Sequence, residues 1–335
     1  MGKEHDLIKM VSSLMPKSEY QLNRVFESDG EIFELNGSRV LFSMDEFSEE
    51  DMFREHDPFT LGWNLAVGAV SDILACGGRP LFYAHSMIIK DKWDEEFIKS
   101  FSTGVASVLK KCQIGFLGGD FGKSKIWHYT GAVIGMLEGK PLLRRGAQPG
   151  DGIYLSGEIG AGNLEAFLKL YSEKTGVGKF SRLVKNRFPL RIKEAEHMKK
   201  YAHAAMDTSD GVFNALNSLS EMSGTGYEVG DLPYHKTGRT HAKLFKIPKT
   251  LLFLGECGEY ELIFTVGPED EENFLQGARE QELKFYKIGR VTDKGSRVLY
   301  EGTRKIDLSR LEIRARDFGD IEKYIQRLIS FIREK

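Results

Sequence analysis

Two kinds of hydrophobic spacing recur along the chain. Residues 31–35 (EIFEL) and 38–44 (SRVLFSM) alternate apolar and polar positions on either side of Asn36-Gly37, which predicts a tight β-hairpin. Leu61, Leu65, Ala69 and Ile73 then recur at helical spacing over residues 59–75, and Gly77-Gly78 is placed to end that helix. A strand is predicted over 81–89. Asp94 follows as the cap of a helix with Phe97, Phe101, Val105 and Val108 along one face. Residues 114–117 predict a short buried strand running into Gly118-Gly119-Asp120, and residues 127–137 a longer one.

Residues 139–152 (GKPLLRRGAQPGDG) carry turn formers throughout and mark the boundary between residues 1–142 and 143–335. A second α/β unit is predicted beyond it, with strands at 153–156, 260–266 and 285–288 and helices at 163–171, 189–204 and 212–222. Ile321, Ile325, Leu328 and Ile332 mark a terminal amphipathic helix, whose opposite face mixes both charge signs and so predicts packing on the domain rather than membrane contact. The fold class is α/β, of the α+β kind, in two domains.

Composition narrows the partners. Lys and Arg total 47 against 49 Asp and Glu, a formal charge of −2, so no basic field recruits nucleic acid. Cys76, Cys112 and Cys257 form no CxxC pair, which excludes a disulfide framework or zinc ribbon and predicts a reducing compartment. No uncharged apolar run approaches the ~20 residues of a membrane helix. The opening MGKEHDLIKM places acids where a signal peptide needs an apolar core. A cytoplasmic location is expected.

The 36 glycines of 335 residues exceed the usual ~7% and sit in clusters between periodic segments, several beside an acid. Some familiar phosphate motifs fail. The run Gly118–Ser124 ends in Gly-Lys-Ser, but Leu117 stands where a P-loop needs glycine. Gly157, Gly160 and Gly162 lack GxGxxG spacing, which leaves a structural turn, or a helix N-terminus touching phosphate. The eight histidines form no HExxH, and no Ser-His-Asp or Cys-His motif is visible.

What remains is five aspartates at predicted strand or helix ends: Asp29, Asp45, Asp72, Asp120 and Asp210. One such Asp is ordinarily an Asx-turn or a cap, and Asp210 is placed to cap the helix near Val212. Five across two domains point instead to hard oxygen donors for Mg²⁺ and phosphate. Arg144 and Arg145 in the boundary loop are suited to clamp phosphate, or form a solvated pair.

These segments resemble the AIR synthase-like (PurM-like) ATP-binding superfamily in family order. Ser71-Asp72 with Ile-Leu-Ala-Cys-Gly-Gly resembles SD-x-x-A-M-G-A, and Gly118-Gly119-Asp120 resembles GGDT. Residues 144–151 (RRGAQPGD) resemble RSGAKPGD, residues 207–211 (DTSDG) resemble D-x-SDGL, and residues 259–262 (EYEL) resemble DYEL. Within the superfamily the chain is most similar to the thiamine-monophosphate kinases. The resemblance implies a two-domain subunit whose N-terminal domains pair in a homodimer, with ATP near that interface and Mg²⁺ as cofactor. It implies metal-binding roles for Asp29, Asp45, Asp72, Asp120 and Asp210, and nucleotide contacts for Gly118, Gly119, Asp120, Arg144, Ser209 and Asp210. Asp120, Asp210 and Arg144 would serve catalysis, and Glu259 and Tyr260 the acceptor.

The chain departs from the family pattern mainly on the acceptor side. Residues 44–53 replace TDTLVEGVHF, losing its histidine and gaining acids; Gly30 follows Asp29 where the family has a second aspartate; Ala69 replaces an Asn and Phe121 a Thr. The implied activity is an ATP- and Mg²⁺-dependent transfer of phosphate to a small phosphate acceptor, thiamine monophosphate. The alternatives are another ATP-dependent enzyme of the superfamily with a different acceptor, or a catalytically silent nucleotide-binding protein.

Overall fold

The computed structural model describes residues 3–49, 51, 57–175 and 186–334. After a helix α1 (Lys3–Leu14), β1 (Glu31–Leu35), β2 (Ser38–Ser48), β3 (Arg79–Lys90), β4 (Gly115–Ser124) and β5 (His128–Leu137) form a sheet in the order β1-β2-β5-β3-β4. Asn36 and Gly37 both take positive φ, 50° and 74°, the hand that lets a two-residue turn follow the twist of its strands. Leu35 pairs with Ser38 across it.

Helix α2 (Pro58–Ala75) starts where the Asp57 side chain accepts from the Thr60 amide and Pro58 fills the first turn. Its sequence is apolar all round, which demands burial on every side. It lies against the sheet, against α3 (Glu95–Cys112) and against the second half of the chain, where Trp63 Nε1 donates to the Phe188 carbonyl at 2.8 Å. Asp72 is the only charged residue in it. Two glycines set the α2–α3 approach. A Cβ on Gly62 would lie 2.1 Å from the Phe101 carbonyl oxygen, and one on Gly104 2.1 Å from that of Phe59. Both obstacles are backbone, so Gly104→Ala is expected to lower the unfolding free energy by about 2–3 kcal/mol in urea titration; an unchanged midpoint would mean the helices have room to part.

The second sheet has the order β12-β11-β8-β10-β6-β9-β7. Its strands are β6 (Gly152–Leu155), β7 (Ala202–Asp207), β8 (Gly226–Gly230), β9 (Leu262–Val266), β10 (Tyr286–Thr292), β11 (Arg297–Glu301) and β12 (Arg304–Asp307). The helices are α4 (Ala161–Thr175), α5 (Ile192–Met198), α6 (Val212–Ser223), α7 (Lys236–Leu244), α8 (Leu251–Leu254), α9 (Glu271–Glu280) and α10 (Ile321–Glu334). Helix α10 buries Leu328 and Ile332 in the second core and packs Ile325 against it, as its spacing predicts, and adds Tyr324. Among the described residues no helix is long and apolar enough to cross a membrane. The first core does not stop at the boundary loop: it runs on through Leu262, Phe264, Val266 and Phe274.

Three local expectations change. The segment 114–117 is not a short buried strand; β4 continues through Ser124 as an exposed edge, parallel to β3. Gly118 takes φ +125° where the register slips between Tyr83 and Ala84, and a Cβ on Gly119 would lie 2.1 Å from the His85 carbonyl oxygen. The predicted helix 189–204 ends at Met198, and Ala202–Asp207 turns into a strand paired with β9. Its small apolar residues suit either state, and pairing decides. Helix α6 has Gly211 in the cap position and no side-chain cap hydrogen bond, so Asp210 is not its cap.

Candidate metal and phosphate site

Asp72 sits on the buried helix α2, Asp29 in the turn before β1, and Asp207 at the end of β7. One carboxylate oxygen from each lies within 4.8 Å of the other two, the group of such side chains found among the described residues. Each is held by its own partners. Ser43 Oγ donates to Asp72 Oδ2 at 2.5 Å. Arg144 Nε donates to Asp29 Oδ1 at 2.6 Å, and the Asp207 amide to Asp29 Oδ2 at 2.8 Å. Ser209 gives both its amide (3.1 Å) and its hydroxyl (2.8 Å) to Asp207 Oδ1. Asp207 Oδ2 is buried and has no hydrogen-bond partner.

The electrostatics follow from crowding. Burial, opposed by Arg144 and reinforced by Asp207, raises Asp29 to about 6. Burial and then the charges of Asp207, Asp29 and Asp210 raise Asp45 to about 7. Asp72 is driven well above its ordinary range by burial and by Asp45, Asp207 and Asp29. Five acids share one field, and Arg144 is the guanidinium bonded within it. Such an arrangement is unfavourable unless a cation completes it. The donors are hard oxygens, and one of the three carboxylates, Asp207, keeps a buried oxygen without a hydrogen-bond partner; this set fits Mg²⁺. The nearest thiol, Cys76, is pushed by burial to about 12 and stays protonated.

The structure thus brings Asp29 and Asp72 together and sets Asp45 and Asp210 within their field. Asp120 stands apart, exposed on β4 opposite Ser86, with Gly118 and Gly119 beside it. Asp207 is the residue the sequence reading left out. It opens the DTSDG segment, but its strand was expected as the end of a helix, which hid where the side chain faces.

Of the two residues expected at the acceptor, Glu259 is buried and accepts from the Gly162 amide at 2.8 Å, with Gly160 and Ala161 also donating. The N-terminus of α4, a candidate phosphate contact in the sequence, therefore holds an internal carboxylate. Burial raises that carboxyl to about 8. Glu261 accepts from Arg191 through both oxygens, at 2.7 and 2.6 Å. Between them Tyr260 takes φ +58° and turns the other way, into the space left by Gly68 on α2. A cavity of about 470 Å³ opens beside Glu259, Glu261 and Arg191, and none of the clustered aspartates lines it. Of the altered segment 44–53, residues 50, 52 and 53 lie outside the described residues.

Comparison with known proteins places the chain in a family. Residues 27–137 match AIR synthase related protein, N-terminal domain, and residues 148–301 match AIR synthase related protein, C-terminal domain. The thiamine-monophosphate kinase of Bacillus subtilis is 31% identical over 273 residues, 77% of this chain and 82% of that protein. That of Aquifex aeolicus is 29% identical over 290 residues, 84% of this chain and 90% of that one. The solved structure of AaThiL complexed with AMPPCP and TMP superposes with a TM-score of 0.72 at 25% identity, covering 88% of this chain and 92% of that chain. With both domains matched and the identity sustained over most of its length, the chain belongs to the thiamine-monophosphate kinase family of AIR synthase related proteins.

Proposed function

We propose that the protein transfers the γ-phosphoryl group of ATP to thiamine monophosphate, giving thiamine diphosphate and ADP. The observation that carries this reading is the cluster of half-buried Asp29 and Asp72 with buried Asp207, whose Oδ2 is unpartnered, in a chain of this family. The acceptor's phosphate oxygen is already ionised, so the transfer needs no strong base to create a nucleophile. That oxygen bonds to the γ-phosphorus as the bond to the β-phosphate oxygen breaks. Asp29, Asp72 and Asp207 would hold Mg²⁺, which would supply neutralisation of the phosphates' charge.

In this reading Asp29, Asp72 and Asp207 hold metal, with Asp45 and Asp210 at the margin of the site. Arg144 holds Asp29 in place until phosphate competes for its guanidinium. Ser209 orients Asp207 and contacts nucleotide. Glu259 acts by fixing α4 rather than by touching the acceptor, and Tyr260 forms the floor between the units. Residues 1–142 and 143–335 are the two domains.

The position of Asp120 supports a homodimer. Asp45 on β2 and Asp120 on β4 are separated by β5 and β3, roughly 14 Å at the usual strand spacing. Phe82, Phe116, Leu117 and Phe121 are exposed around the same edge, an apolar patch of the kind that marks an interface. Pairing across that edge delivers Asp120 of the partner subunit, with its Gly118 and Gly119, to the phosphates. Sedimentation giving only a monomer mass would remove this part of the proposal.

The deciding experiment is ADP release from ATP and Mg²⁺ with and without thiamine monophosphate, using Asp120→Asn as control. Release that depends on thiamine monophosphate and is lost in the variant is the expected result. Slow release indifferent to it would keep the ATP site and discard the acceptor.

A further inference from the structure

Cys76 is the residue immediately after α2, one helical turn beyond Asp72, and its amide donates back to the Asp72 carbonyl at 3.1 Å. It is 1% exposed. Its sulphur makes two polar contacts, both to the turn that carries Asp29: the Gly30 amide donates to Sγ at 3.2 Å, and Ser28 Oγ lies 3.1 Å from Sγ. Asp29 is thus bracketed in sequence by two residues tied to one thiol. Gly30 fits closely beneath, since a Cβ there would come 3.3 Å from the Phe42 carbonyl oxygen and 3.6 Å from Sγ. The position is one where the family pattern SD-x-x-A-M-G-A carries methionine.

We propose that Cys76 is a positioning residue for the metal site. One helix end then fixes two of the three clustered carboxylates, Asp72 directly and Asp29 through the thiol, so that their separation is set by the rigid geometry of α2. The proposal rests on the reading of the triad as a divalent-metal site. Without Cys76 the Ser28–Gly30 turn would keep its tie to Asp207 and Arg144 through Asp29 itself but lose its tie to α2. Residues that orient metal ligands in this way typically change metal affinity by about 10–100-fold when replaced.

Two substitutions separate packing from polarity. Cys76→Val fills the site with about one methyl group more and removes the acceptor; Cys76→Ser keeps an acceptor and donor at similar reach. Binding of Mn²⁺ to the full chain, followed by paramagnetic resonance without ATP or acceptor, is expected to weaken about tenfold in Cys76→Val and to stay near wild type in Cys76→Ser. A merely structural role would lower the melting temperature in both and leave Mn²⁺ affinity unmoved. Wild-type affinity in folded Cys76→Val, or equal loss in the two variants, overturns the proposal. Should Cys76→Val fail to fold, Ser28→Ala takes its place with the same expected weakening, and unchanged Mn²⁺ affinity there overturns it equally. Because no turnover is read, a protein that binds Mn²⁺ in this pattern but ignores thiamine monophosphate would sink the kinase reading and leave the role of Cys76 standing.

Discussion

Asp207→Asn is expected to abolish measurable phosphate transfer while leaving the fold at least as stable as before. The carboxylate has one oxygen satisfied by Ser209 and the other buried without a partner, and it clusters with Asp29 and Asp72. An amide keeps the shape but supplies an N–H where the metal needs an anion. Residues one step removed from a metal cost ~10–100-fold, so a direct donor should cost about 100-fold or more in turnover. The same N–H can donate to a neighbouring carboxylate and removes one charge from a crowded field, which relieves the metal-free protein. Steady-state turnover and a melting curve in chelator check the two halves together. Wild-type turnover in Asp207→Asn would remove Asp207 from the site; a collapse of the fold would make it a structural residue.

The second large effect is an inverted response of stability to pH in the absence of metal. Asp29 and Asp45 rise from 3.8 to about 6 and about 7, and Asp72 rises well above its ordinary range. Each carboxyl therefore binds its proton more tightly folded than unfolded. Between about pH 4 and pH 7 the folded state holds more protons than the unfolded one, so stability falls as pH rises through that window. Glu259, raised to about 8, extends the trend. Glu27 and Glu271, whose carboxyls are lowered, work the other way only below their ordinary range. A tenfold difference in proton affinity is ~1.4 kcal/mol, and the acids repel one another, so their effects overlap rather than add. A net loss of about 3 kcal/mol is expected between about pH 5 and about pH 8, seen as a lower melting temperature in chelator. Excess Mg²⁺ should erase most of it, since a cation favours the ionised forms. A melting temperature that rises over the same range in chelator would contradict the charge state assigned to the triad.

Much of this arrangement was legible in the sequence, for reasons that differ by element. The Asn36-Gly37 hairpin and helix α2 were readable because turn chemistry and helical periodicity are local. Asp29 and Asp72 stood among five aspartates at predicted element ends, and the ordered family motifs marked Asp72 and Arg144. Strand β7 was not readable: its identity depends on pairing with β9, more than fifty residues away in sequence. With it went Asp207. Strand β4 failed in a different way, because an exposed glycine-rich edge shows no alternation to detect. The capping role of Glu259 was also hidden, since only the fold brings residue 259 to the amides of residues 160–162.

The hydrogen bond from the Asp207 amide to Asp29 crosses from the second sheet to the turn that feeds the first. Arg144 spans the same seam, with its amide on the Glu27 carbonyl and its guanidinium on Asp29. The donor set therefore belongs to neither half of the chain, and its geometry is a readout of how the two sheets are angled. Metal affinity and that angle are linked quantities: whatever cation tightens the triad also stiffens the molecule about its seam. By the same reciprocity, Gly68→Ala, whose Cβ would press on Phe47 at 2.7 Å and on Tyr260 across the seam at 3.1 Å, should weaken metal binding although every carboxylate remains in place.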